Sequence, residues 1–414
     1  MPARANTRMT RMTPWEAARR LAHLPDLVFL DSALPRDGAV SRLAAAPGQI
    51  IEGDSAADWA RLRAAIEARA GTPGFAAGYV EYDGRFRFGI YGRVLTYLHD
   101  ERRWVVEADD GNLRELMRDP APSHEEPIDF RSELTAPEYE SMVRRAQEYI
   151  AAGDIYQVNL AHRFTARWSG ALGQALAFYA RLRECSPAPY AALLCGSQRV
   201  IASSSPELFL QMDGREIMTR PIKGTRSRAP GDAAADTAAA RELGASAKER
   251  AELIMITDLE RNDLGQVCDY GTVHVRELLK LERYAQVHHM VSTVAGRLRA
   301  GIDHIDALRA CFPGGSITGA PKKRAREIIA ELEPPSHGGH HDRGLYTGAI
   351  GYFGFDGRSA FNIAIRTAIL EADGRAHFHA GAGIVADSDP RREWEETLWK
   401  AAGILRAAGL RIAA

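Results

Sequence analysis

Cysteine is scarce. The chain has 4 in 414 residues, Cys185, Cys195, Cys268 and Cys311, and no two form a CxxC pair. That spacing excludes a disulfide framework and a cysteine-rich zinc site, and it suits a reducing, cytoplasmic compartment. Net charge is also small, −1 at pH 7, so there is no electrostatic case for nucleic acid or an anionic membrane surface as partner. No apolar run is long enough to span a bilayer. Residues 1–20 are Arg-rich but lack the apolar core of a secretory signal, so they read as a disordered tail, with Met9 or Met12 as an alternative start. No segment repeats. The composition, 45% hydrophobic and 26% charged, is that of an ordinary soluble chain long enough for one large or two ordinary domains.

Residues 21–119 alternate strand-like runs (27–30, 76–82, 86–98, 104–106) with a helical patch at 59–70, and Asp83-Gly84 marks a hairpin between two of the runs. They predict an N-terminal α+β region. Residues 120–133 are rich in proline and acid and read as a linker. The remainder, 134–414, opens with a strong helix signal. Thr135 and Glu138 form a capping box, Pro137 sits in the first turn, and Tyr139, Val143, Ala146 and Ile150 make one apolar face ending before Gly153. Strands are predicted at 154–160, with Tyr156 and Asn159 as polar contacts, and at 187–194, 200–210, 268–275, 347–352, 360–370 and 376–384. Ser205-Pro206-Glu207 reads as a bend. Helices are predicted at 251–264 behind a Ser246/Glu249 capping box, at 322–332, and from Asp389-Pro390 to 407. Strands cluster without strict alternation with helices, which favours an α+β fold with antiparallel sheets over a doubly wound one.

The run Arg220-Pro221-Ile222-Lys223-Gly224-Thr225-Arg226 delivers one lysine into a turn at Gly224. Pro221 lacks an N–H and belongs at a strand end or edge, and glycine lets a ligand approach the backbone. Held among apolar neighbours, the lysine loses solvation and offers its amine as nucleophile or base; on a loop it is simply solvated. Glu252 shares a predicted helix face with Ile256 and Leu259, a costly position unless the carboxylate is paired or binds a cation. Glu393, Glu396 and Lys400 fall on one stripe of the last helix. That stripe is either a solvated, ion-paired face or, with Glu252, a site for a hard cation such as Mg2+. The second reading requires the two helices to meet.

Gly381-Ala382-Gly383-Ile384-Val385-Ala386 fits GxGxxA, but Asp387-Ser388-Asp389-Pro390 follows where a dinucleotide-binding helix should already run. It reads instead as a close-approach turn whose N–H groups suit a carboxylate. Residues 314–319 have P-loop spacing, but Ala320-Pro321 replaces the required Lys-Ser/Thr, which excludes ATP. Gly319, leading into a helix start, still suits an anion. His288-His289 are either core histidines or catalytic ones. His337, His340, His341 and Asp342 have metal-ligand chemistry, but their glycine-rich loop argues against a metal there. Arg366, within an apolar strand, needs an anionic partner.

Together, Pro221-Ile222-Lys223-Gly224-Thr225, Glu252 with Asp258-Leu259 and Arg261-Asn262-Asp263, Gly319-Ala320-Pro321-Lys322, Gly348-Ala349-Ile350-Gly351-Tyr352, Ile365-Arg366, Gly381-Ala382-Gly383 and Glu396-Thr397 resemble, in order, the motifs of the chorismate-binding enzymes. The resemblance covers about residues 135–405, with a looser match at Phe29-Leu30-Asp31-Ser32. It implies antiparallel sheets forming a central two-sheet core with helices packed outside, the chorismate-utilising enzyme fold. It implies Lys223 as a covalent nucleophile in amination of chorismate at C4, Glu207 as general acid and His289 as an electrostatic or proton-transfer helper. Thr225, Thr318, Gly319, Arg366, Gly381, Gly383 and Lys400 would hold the substrate, and Glu252, Glu393 and Glu396 a Mg2+ ion. The chain has no GxCxG-type nucleophile, so ammonia would come from a separate glutamine amidotransferase subunit, and the product would lead towards 4-aminobenzoate and folate. The alternatives are amination that yields anthranilate, or a relative that binds ligand without catalysis. Ser32 and Ser186-Pro187-Ala188-Pro189-Tyr190 match in part a tryptophan pocket of relatives. Thr347 departs from the Tyr or Gly of many of them.

Overall fold

The computed structural model describes residues 12–107, 113–120, 126–284, 286–335 and 343–409. Runs such as Leu27-Val28-Phe29-Leu30 are apolar on both faces of a strand, so both faces must be covered. Val28 packs between two sheets with Ile201, Leu345, Ile350 and Tyr352. Phe29, one residue on, faces the other way, against Phe178 and Tyr179 of the helix Leu172–Cys185. This burial on both sides builds the expected architecture, two stacked antiparallel sheets with helices outside. Among the described residues one sheet has eleven strands and the other ten. The helices Leu172–Cys185 and Pro390–Ala407 cover the first sheet. The helices Ala56–Glu67, Ala247–Gly265 and His304–Cys311 cover the second.

The N-terminal strands are built into both sheets rather than forming a sheet of their own. Leu27–Asp31 pairs with Tyr190–Cys195 in the first, and Phe75–Val80 pairs with Ala349–Gly354 in the second. The tail expected at 1–20 is ordered from Pro14, where a capping box of Thr13 and Glu16 starts the helix Pro14–Leu21, which buries Ala17, Ala18 and Leu21. The 120–133 linker is likewise packed in part, since Ile128 and Phe130 are buried in the first sheet's outer core; residues 121–125 lie outside the described residues. So do His337, His340, His341 and Asp342.

Of the steps the chain makes from one sheet to the other, two bear on the site. Arg199–Ser205 belongs to the first and Leu208–Asp213 to the second, joined by Pro206 and Glu207. Arg358–Ile363 belongs to the second and Thr367–Glu371 to the first, joined by Ala364, Ile365 and Arg366. The single strand expected at 360–370 is therefore broken, with Arg366 at φ +49° where the chain turns. The two crossings lie side by side. The Ser204 N–H donates to the Arg366 carbonyl at 3.0 Å and the Ile363 N–H to the Glu207 carbonyl at 3.1 Å.

Three further expectations change. Of the 268–275 run, Cys268 makes an isolated β-bridge and only His274 and Val275 lie in a strand, which runs over His274–Arg283. It went unseen because its charged residues mask the alternation of an edge strand. Gly381 and Gly383 lie within the strand Arg375–Ile384, paired with Ala161 and Asn159, and not in a turn. Gly224 is not a turn either. The strand Ile222–Ser227 continues past it, with the register slipping between Lys223, opposite Met290, and Thr225, opposite His289.

Candidate active site

The slip at Gly224 is a β-bulge, which re-aims neighbouring side chains. Its φ of +76° and a Leu243 methyl 2.6 Å from where a Cβ would stand restrict the position to glycine. Lys223, beside the bulge, turns towards the helix Ala247–Gly265, where its Nζ lies 3.5 Å from Glu252 Oε2. Its surroundings are thus ionic, not the apolar ones expected. The same ammonium faces the strand Arg375–Ile384. A Cβ on Gly383 would stand 3.4 Å from Lys223 Nζ and 2.9 Å from Gln157 Nε2, so glycine leaves the space between these two nitrogens open.

Gln157 was not a sequence candidate. It is fully buried, and neither its amide nitrogen nor its oxygen has a partner among the described residues. Such a group costs folding free energy, which marks it as built for something other than packing. The signal was the alternation of Gln157 and Asn159 along one strand. Tyr156, named in its place, is 73% exposed.

Glu207 sits at the first crossing, 5% exposed, with its Oε1 unpartnered among the described residues. Burial pushes its carboxyl up to about 7, against the pull of Ser316, Lys223, the Ile222 N–H and Lys400. Next to Ser316, Glu260 Oε1 accepts the Gly315 N–H at 3.1 Å. Arg366, at the second crossing, has no hydrogen bond or ion pair from its guanidinium among the described residues. Burial lowers it from the ordinary arginine value, opposed by the field of Glu207. His289 is 5% exposed, and its Nδ1 lies 3.0 Å from the Thr225 hydroxyl. Burial, followed by repulsion from Arg366, depresses it to about 4, so the ring is neutral at pH 7.

The two helices named for a cation do come together. Lys248 of the first reaches Glu252 at 4.0 Å, one turn along its own helix, and Glu393 of the second at 3.4 Å. On the second helix Lys400 Nζ lies 2.7 Å from Glu396 and donates to the Gly381 carbonyl at 3.0 Å. Glu396 and Lys400 are 45% and 42% exposed. Glu249, one turn before Glu252, joins this group and was missed, although its spacing was visible. Burial and then the charges of Glu252 and Glu396 raise it. Burial and Glu396 likewise raise Glu393, while the Ser388 hydroxyl donates to it at 2.7 Å. Among the described residues no three acidic, histidine or cysteine side chains stand close enough to share one ion as they lie. The donor chemistry nonetheless suits Mg2+: carboxylates only, from two facing helices, with Glu249 and Glu393 raised in part by repulsion that a divalent cation would relieve.

Thr318 and Gly319 serve the backbone. The Thr318 hydroxyl donates to the Gly314 carbonyl at 2.9 Å, and Gly319 pairs with Val158. Beyond Gly319 the helix Lys322–Leu332 starts without a side-chain cap on its first N–H groups, and the Lys322 side chain turns inward to Asp263 at 2.6 Å. A cavity of about 1170 Å³ opens elsewhere between the sheets, with Ser32, Pro189, Tyr190 and Asn362 in its lining. Ser186 of the expected pocket segment is not among its lining residues.

Comparison with known proteins gives the same answer as this geometry. The profile of the chorismate binding enzymes matches residues 39–406. Anthranilate synthase component 1 of Streptomyces coelicolor is 47% identical over 67% of this chain and 52% of its own length. Aminodeoxychorismate synthase component 1 of Bacillus subtilis is 44% identical over 75% of this chain and 62% of its own length. This chain thus spans little more than half the length of these curated relatives. The crystal structure of anthranilate synthase component I from Streptococcus pneumoniae superposes with a TM-score of 0.77 at 30% identity, covering 90% of this chain and 93% of that one. No helix among the described residues is long and apolar enough to cross a membrane. With the family's profile spanning most of the sequence, this chain belongs to the chorismate-binding enzymes.

Proposed function

We propose that the chain is an aminodeoxychorismate synthase component 1, converting chorismate and ammonia to 4-amino-4-deoxychorismate and water through a covalent bond to Lys223. The observation that carries this reading is the placement of Lys223 Nζ against the open face of Gly383, in the same cleft as buried Glu207. Lys223, as the free amine, attacks C2 of the ring, both ring double bonds shift towards C4, and the C4 hydroxyl departs as water with a proton from Glu207. Ammonia then adds at C4, both double bonds shift back, C2 releases the lysine as the free amine, and the proton lost by the new C4 ammonium returns to Glu207. A hydroxyl is a poor leaving group, so a carboxyl still protonated near pH 7 is the donor this step requires. Arg366 and the N–H groups about Gly381 and Gly383, with Lys400, offset the two carboxylates of the substrate. Thr225 and neutral His289 line the ring. Glu252 and Glu396, with Glu393 nearby, would hold Mg2+, which supplies positive charge for the ring carboxylate. Ammonia would be delivered by a glutamine amidotransferase partner.

Close identity to anthranilate synthases keeps anthranilate as the rival product. One assay separates them: chorismate, ammonium and Mg2+ with the purified chain, read by chromatography and by anthranilate fluorescence. 4-Amino-4-deoxychorismate is the expected product, and its formation should stop in excess EDTA and resume with added Mg2+. Anthranilate as the product, or no turnover, would remove the assignment.

Arg366→Lys is expected to raise KM for chorismate about tenfold or more with a smaller change in kcat, since an ammonium cannot hold a carboxylate through two parallel bonds. Steady-state kinetics with ammonium test this. An unchanged KM would show that Arg366 does not hold the substrate.

A further inference from the structure

Two carboxylates facing each other across a gap between helices repel unless a cation lies between them. Here that cation belongs to the chain. Lys248 Nζ is 3.4 Å from Glu393 Oε1 and 4.0 Å from Glu252 Oε1, the former on the facing helix and the latter one turn along its own. The Lys248 side chain is 47% exposed, whereas Glu252 and Glu393 are 13% and 3% exposed. A solvent-reaching ammonium therefore bridges two carboxylates that are largely shielded. Lys223 and Lys400 balance the other oxygens: Lys223 pairs with Glu252 Oε2 and Lys400 with Glu396 Oε1. Lys248 differs from both, because it faces neither Gly381 nor Gly383 and is the one of the three that joins the two helices.

We infer that Lys248 is a built-in counter-cation of the carboxylate pair, which a divalent ion must displace to bind. Loading the site is then an exchange of one cation for another. The ammonium holds the helices in register before loading, swings into solvent when the ion enters, and returns when it leaves. This weakens metal binding while sparing the empty protein the repulsion of unscreened carboxylates. The inference rests on the proposed Mg2+ site.

The test is Mg2+ titration by calorimetry, without chorismate and at fixed ionic strength, of the full chain and of Lys248→Met, which keeps the length of the side chain and removes its charge. The variant should bind Mg2+ about threefold to tenfold more tightly, the size that two partly screened ion pairs carry. Its melting temperature in EDTA should fall below that of the parent, and Mg2+ should raise it by more. Equal or weaker Mg2+ affinity in Lys248→Met would overturn the inference while leaving the metal site standing. Absence of Mg2+ binding by both proteins would overturn the metal site and the inference with it. Lys248→Arg, which restores the charge, should return affinity to the parent value; tight binding by this variant would also overturn it.

Discussion

Lys223→Ala is expected to lower the rate of 4-amino-4-deoxychorismate formation on the order of 10³-fold or more, because the covalent route needs an amine at that position. Two side chains, Lys223 and Lys248, now neutralise Glu252, so loss of charge alone would also disturb the site. Lys223→Arg separates the two effects. It keeps a cation beside Glu252 but offers no nucleophile, and it should be as inactive as the alanine variant. Intact-protein mass spectrometry of the wild type, quenched during turnover without ammonia, should show an adduct that maps to Lys223 and is absent from both variants. Full activity in Lys223→Ala, with folding verified by circular dichroism, would end the covalent mechanism.

Glu207→Gln carries the second large effect. General acid catalysis is worth about 10²- to 10⁴-fold, and glutamine has no acidic proton to give. Glu207 is pushed up to about 7 mainly by burial, and it acts as an acid only while protonated. In the wild type kcat should therefore hold below pH 7 and fall as pH rises through it. The variant should lose that limb along with most of its rate. The same burial has a stability signature of fixed sign. The folded value lies above the ordinary 4.5, so the protein is favoured below pH 4.5 and loses that share of stability as pH rises towards 7. Glutamine is neutral throughout. Glu207→Gln should thus melt above the wild type at pH 8, with the gap closing by pH 4.5. A variant with wild-type rate and an unchanged basic limb would exclude Glu207 as the proton donor.

Much of the fold can be read from local signals, for a physical reason. Capping boxes and proline positions depend on neighbours three or four residues away, which is why the helices Ala136–Ala151, Lys322–Leu332 and Pro390–Ala407 fall where the spacing places them. The edge strand His274–Arg283 and the crossing at Ala364–Arg366 depend on partners far along the chain, and local pattern misreads both. The glycines behave similarly. Sequence marks Gly224, Gly319 and Gly383 as positions of close approach, but whether each serves a bulge, a bridge or an open face is decided by the strand laid against it.

The site divides along the same line. Residue types and order by themselves determined which groups carry charge and chemistry: one lysine after Pro221, an acid after Ser205-Pro206, acids spaced by one helical turn, and an arginine among apolar residues. Tertiary structure alone decided that Glu207 and Arg366 stand together, because each lies where the chain leaves one sheet for the other and those two crossings are hydrogen-bonded neighbours. It also brought Gln157 to Lys223 and set Lys248 between two helices whose carboxylates are more than a hundred residues apart. Charge and hydrogen-bonding capacity belong to a residue wherever it sits, whereas burial and distance exist only once the sheets have stacked.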